Sequence, residues 1–125
     1  MHSIGKIDRE IYKCITEDIR TDEVIITDER IEHIRERHPD DYERFCSYIP
    51  QIIKAPDYII EANKENTGIL LKRIKENGEE FKLVLKIAVK DDPESYKNSV
   101  ISFWHIGDTT WRKTLKNKNI LYRNE

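Results

Sequence analysis

The amino-acid sequence predicts an α+β fold, with amino-terminal helices packed on an antiparallel sheet of about four strands. Three observations carry that expectation. Before residue 56 the chain shows helix-start residues and apolar residues at three- and four-residue spacing, whereas after it apolar and polar residues alternate. An Asn77-Gly78 pair separates two of the alternating stretches and marks a hairpin, because both residues tolerate positive φ. Finally, 125 residues is the size of one ordinary domain, so residues 1–125 are expected to share a single core.

Taken in order, residues 11–19 alternate loosely and suit a strand or a helix equally. Val24-Ile25-Ile26 is a short apolar run ending in Thr27-Asp28-Glu29-Arg30, which reads as a helix start. Thr27 can cap free backbone N–H groups, and Asp28 and Glu29 sit where the helix dipole favours negative charge. The helix should run to about His38, since Pro39 disfavours helical geometry at the residue before it. Ile31, Ile34 and His38 share one face, with Arg30, His33 and Arg37 on a neighbouring polar stripe. A second helix is expected from Pro39 or Asp40, turning Tyr42, Phe45, Ile49 and Ile53 inward, with a kink at Pro50 and an end near Ala55-Pro56. Strands are expected at 58–62, 69–75, 81–90 and 100–106. The tail at 108–117 reads as a short helix capped by Asp108 or Thr109, followed by a last strand at Ile120-Leu121-Tyr122.

Composition narrows the function classes. With 37% charged and 38% hydrophobic residues in patterned clusters, the chain is polar but foldable. Its apolar runs are too short to cross a bilayer, and its first residues lack a signal-peptide core, so a cytoplasmic location is expected. Cys14 and Cys46 have neither C-x-x-C spacing nor nearby His partners, which favours reduced thiols over a disulfide or zinc site. The net charge of −2 conceals an asymmetry: residues 1–63 carry 9 basic and 15 acidic side chains, a net −6, and residues 64–125 carry 13 and 9, a net +4. A basic half of this kind suits an anionic partner, although taken alone a solvated lysine-rich surface is the simpler explanation.

Candidate chemistry follows from strand parity. Across 81–90 a period of two puts Phe81, Leu83, Leu85, Ile87 and Val89 on one face and Lys82, Lys86 and Lys90 on the other. Lys72 and Arg73 of the preceding strand point to opposite faces, and Ser102 and Trp104 of the following strand share one. Cations meeting phosphates beside a stacking ring suit single-stranded RNA, yet lysines alternate outward on any half-exposed sheet. His38 lies at the end of the core-facing stripe, where its imidazole can reach the sheet rim and titrate near neutral pH, or simply cap helix carbonyls. His33 and His38 are five residues apart and face different sides of the helix, so no metal site is expected. The tail adds Arg112, Lys113 and, farther on, Arg123 as candidate contacts to an anion, while Trp111 and Leu115 belong to the core by their i, i+4 spacing.

The run Ile26-Thr27-Asp28-Glu29-Arg30 into His33-Ile34 and Arg37-His38-Pro39, followed by a lysine-bearing hairpin and Val100-Ile101-Ser102-Phe103, resembles the phage-associated nuclease domains of the barnase, EndoU, colicin and RelE-like group. The similarity covers roughly residues 24–122. It implies helices on a sheet of about four strands and metal-independent, cofactor-free RNA cleavage, in which the 2′-hydroxyl attacks the adjacent phosphate. By resemblance, His38 serves as general base or acid and Lys86 with Lys72 or Arg73 holds the phosphate, with Ser102 hydrogen-bonding a phosphate oxygen. The resemblance implies RNA as substrate and a toxin or phage-effector role, with an antitoxin or immunity protein as a further partner. A non-catalytic RNA- or protein-binding module of the same fold is the alternative.

Overall fold

Residues 1–124 are described by the computed structural model, and they begin with a strand rather than a helix. That strand, β1 (His2–Lys6), pairs antiparallel with β2 (Glu23–Ile26), and between them lies a single helical turn, α1 (Arg9–Tyr12). Asp8 caps α1 by accepting the Glu10 N–H at 2.9 Å. Tyr12 closes that turn fully buried, its hydroxyl donating to the Ile53 carbonyl at 2.6 Å. One end of the ambiguous stretch 11–19 is thus helical, and the other approaches the sheet through an isolated bridge between Ile19 and Val89.

The Thr27 signal corresponds to α2 (Asp28–Arg37), whose cap hydroxyl accepts the Arg30 N–H at 3.2 Å and whose C-terminal cap is His38. The expected second helix is broken into α3 (Asp41–Phe45), a 3₁₀ turn at Cys46–Tyr48, and α4 (Ile49–Lys54). Pro50 explains the break, since it fits the first turn of a new helix but lacks the N–H needed to continue an old one. There follow β3 (Tyr58–Glu61), β4 (Thr67–Arg73), β5 (Glu80–Lys86), β6 (Asn98–Ile106), α5 (Asp108–Asn117) and β7 (Ile120–Arg123).

The sheet is seven-stranded and mixed, ordered β1-β2-β6-β5-β4-β3-β7, and this corrects the expectation of about four antiparallel strands. β2 and β6 run parallel through Val24↔Asn98 and Ile25↔Ser99, and every other pair is antiparallel. The unforeseen strands are β1 and β2, of five and four residues; β1 forms one sheet edge, and β7, the last strand expected at 120–122, forms the other. No helix among the described residues is long and apolar enough to cross a membrane.

Both faces of the sheet are used. The larger core joins Phe45, Ile49, Ile52 and Ile53 to Leu70, Phe81, Leu83, Leu85 and Phe103, with Ile34 of α2. Each such side chain taken from water contributes about 1.5–3 kcal/mol before entropy is counted. A smaller cluster of Ile60, Leu71, Ile106 and Trp111 holds α5 against the opposite face. Trp111 is therefore a core residue, as its spacing suggested.

Three local features shape the surface. The Asn77-Gly78 turn is longer than a two-residue primed turn: Ile74 and Glu79 are joined at 2.8 Å, the Gly78 N–H returns to the Ile74 carbonyl at 2.7 Å, and only Gly78 takes a positive φ, of 72°. β5 stops at Lys86 instead of 90, because the Ile87 N–H turns to the Asn66 carbonyl at 2.7 Å. In β6 one extra residue, Ile101, is bulged out between the pairs Leu85↔Val100 and Val84↔Ser102.

Candidate active site

Strand pairing settles which side chains share the face opposite the larger core. Lys82, Val84 and Lys86 of β5 lie across from Trp104, Ser102 and Ser99 of β6, so these six form a strip along one face. From Lys82 to Lys86 the strip is about 13 Å long at the usual rise per strand residue. Ser102 and Lys86 are diagonal neighbours on it, about 7–8 Å apart in backbone terms.

At one end the strip receives His38. α2 leaves β2 and runs beside β6 beyond the short parallel pairing, and the Asp41 carboxylate accepts the free His105 backbone N–H at 2.9 Å. This sets the His38 ring parallel to Trp104, with centroids 4.9 Å apart and planes 6° apart. The Lys82 Nζ lies 5.8 Å from the same Trp104 centroid, so a cation and an imidazole both lie against one indole. Partial burial pushes the His38 pKa below its ordinary value, with Arg37 and His33 adding to the fall and Asp41 opposing it. Burial likewise lowers the Lys82 pKa, assisted by Lys118.

At the other end the strip opens into a cleft of about 400 Å³ between the start of α2 and the loop before β6. Arg30, Lys86, Tyr96, Lys97 and Ser99 are among its lining residues. The side chains of Lys86 and Arg30 have no hydrogen-bond or ion-pair partner among the described residues.

His38, Trp104, Ser102 and Lys86 are thus brought onto one strip, and the other sequence candidates are not. Lys72 faces the larger core beside Phe81, its side chain 9% exposed, with Nζ 3.4 Å from Asp57. Arg73 shares the face of Lys86 but sits six residues along the ladder, about 20 Å away. There it bonds Glu80 at 2.5 Å and overlies Trp111 at 4.9 Å. Arg112 pairs with Asp108 at 3.0 Å on the exposed side of α5, and Lys113 beside it is exposed. Arg123 stands on β7 over Tyr58, four strands from β6 and so about 19 Å across the sheet. Lys82 and Arg30 were missed as site residues, although strand parity and the polar stripe of α2 had marked both as outward-facing cations. The cleft itself gave no sequence signal, because its loop wall reads as an ordinary connection. No three His, Cys, Asp or Glu side chains among the described residues gather as metal ligands would.

The fold is a mixed α+β sheet that carries a strip of lysine and serine side chains with a histidine at its rim. The chain belongs to the family described as phage-Barnase-EndoU-ColicinE5/D-RelE like nuclease2, whose model matches residues 1–123. The resemblance read from the residues between Ile26 and Phe103 is thereby shown, and with it a nuclease family. No curated protein and no solved structure matches the chain significantly.

Proposed function

We propose that the chain is a single-domain, metal-independent ribonuclease that cleaves RNA through its own 2′-hydroxyl, acting in the cytoplasm as a toxin or phage effector. The observation that carries this reading is the imidazole of His38 stacked 4.9 Å from Trp104 at the end of a lysine- and serine-bearing strip. In-line attack needs a base for the 2′-hydroxyl, an acid for the departing 5′-oxygen and donors for the phosphate charge. A histidine with a lowered pKa is neutral at neutral pH and takes the 2′-hydroxyl proton on a ring nitrogen. The 2′-oxygen bonds to phosphorus, the bond from phosphorus to the 5′-oxygen breaks, and a cyclic 2′,3′-phosphate forms. Lys82, whose burial makes its ammonium a better acid, supplies the proton to the 5′-oxygen. Lys86 and Ser102 hold the non-bridging oxygens. Lys72, held at Asp57 on the core face, and Arg73, held at Glu80 about 20 Å along the ladder, take no part in this step, and neither does Arg123 on the far strand; Arg112 and Lys113, exposed on α5, are left to contact RNA outside the cleaved phosphate.

Purified protein with single-stranded RNA and EDTA should yield products ending in cyclic phosphate. His38→Ala should lower kcat by about 10²–10⁴-fold, in keeping with loss of a general base. RNA left intact in EDTA, or linear 3′-hydroxyl products, would overturn the proposal.

A further inference from the structure

The mechanism above leaves the cleft beyond Lys86 unused, and its wall is the most unusual surface of the molecule. Apart from Met1, Tyr96 is the exposed large hydrophobic residue of the described chain, with 51% of its surface open, and it lines this cleft. A tyrosine displayed in this way is held there by its loop. The Tyr96 N–H closes a turn onto the Pro93 carbonyl at 2.9 Å. One stem of the loop is clamped by Arg20, whose guanidinium donates to the carbonyls of Val89 at 3.1 Å, Asp92 at 2.6 Å and Lys90. The other is pinned by fully buried Asn98, which accepts the Ala88 N–H at 2.8 Å and donates to the Thr21 carbonyl at 2.7 Å. Asp92 also accepts the Val89 N–H at 2.9 Å, which engages its carboxylate within the loop.

Around Tyr96 the lining carries the cations Arg30, Lys86 and Lys97 against the acids Glu29 and Asp92. Arg30 and Lys86 are uncommitted, Lys97 is 3.1 Å from Glu23, and Glu29 is the acid of the lining that forms no bond among the described residues. An exposed aromatic ring on a held loop, the uncommitted Arg30 and hydroxyls from Ser95 and Ser99 match one unpaired nucleotide, its base on the ring and its phosphate beside Arg30. We infer that the cleft is a subsite for an unpaired nucleotide flanking the scissile phosphate, with Tyr96 stacking on its base. Lys86 lies on both strip and cleft, which makes the two sites contiguous along one strand of RNA. The inference rests on the ribonuclease reading for the choice of RNA as ligand.

The test uses a fluorescein-labelled, 2′-O-methylated ten-nucleotide RNA, which the proposed mechanism cannot cut, and reads binding by anisotropy. Tyr96→Ala should weaken binding about tenfold, and Tyr96→Phe, which keeps the ring, should stay within about twofold. With unmodified RNA, Tyr96→Ala should raise KM by a similar factor. Equal binding by wild type and Tyr96→Ala overturns the subsite while leaving the ribonuclease reading intact if RNA is still cut. Binding lost equally in Tyr96→Phe and Tyr96→Ala overturns the stacking role. Loss of His38-dependent cleavage with Tyr96-dependent binding retained would overturn the catalytic reading and leave the subsite standing.

Discussion

At the scale of single residues, the setting of His38 is decided by burial and by charged groups close to it in the chain. Burial and the positive charges of Arg37 and His33 favour the neutral ring, and Asp41 is the counterweight. Asp41→Asn removes that negative charge but keeps an oxygen able to accept the His105 N–H, so the edge contact survives. The His38 pKa should then fall further, and the acidic limb of the pH–rate profile should move to lower pH, as an NMR titration of the ring would also show. For stability the sign is fixed by linkage. The folded pKa lies below the unfolded value of 6.5, so the unfolded chain binds more protons in the interval between them. This contribution to stability therefore grows as pH rises towards 6.5 and is complete above it. Urea titrations between pH 5 and 7 should show the interval widen in Asp41→Asn; an unchanged interval would mean that Asp41 does not act on His38.

Among the elements, β4 shows how one small residue lets a loop close over the sheet. A β-carbon on Gly68 would stand 2.6 Å from the Cδ1 of Ile15 and 3.1 Å from the Cγ2 of Ile59. Because the nearest atom is the movable end of half-buried Ile15, Gly68→Ala should cost only about 1 kcal/mol, the low end of the overpacking range. Adding Ile15→Val deletes the nearest methyl and should return part of that loss, a positive coupling measurable by urea unfolding of the single and double variants. Additive losses would show that the clash is relieved elsewhere. The elements also show what the sequence made legible. Thr27, the apolar spacing of α2, the alternation of β4 to β6 and the helical tail were all readable, because each signal is local and extends over several residues. The last strand, expected at 120–122, is β7, but β1 and β2 were not readable, since β2 showed only a short apolar run before Thr27 and the pairing of both depends on partners distant in the chain. In the site, parity correctly separated Lys72 from Arg73 but could not show that Glu80 engages Arg73 or that Asp57 engages Lys72.

For the whole molecule, the division of charge along the sequence is not a division in space. The acidic first half supplies β1 to β3, and it also contributes Arg30 and His38 to a site otherwise drawn from the basic half. The charge that faces a ligand is therefore a local property of the strip and cleft. Binding of the 2′-O-methylated RNA should weaken with salt, and Lys86→Gln or Arg30→Gln should each reduce the slope of log K against log salt by about 0.7, the value for one phosphate contact on a single strand. Arg123→Gln, on the far strand, should leave the slope unchanged. Equal effects from all three would point to a diffuse field in place of a defined track.

The extra residue in β6 has a consequence for how such a track can exist at all. A strand counts in twos, and Ser99 and Ser102 are separated by an odd number, so in a regular strand one of them would be turned among the helices. Ile101 resets the count between them. Ser99 and Lys86, on the cleft side, and Ser102 with Trp104, on the histidine side, are therefore in phase across a single odd step. Two stretches of opposite parity read as one continuous surface, and the polar order along β6 has meaning only once that step is known.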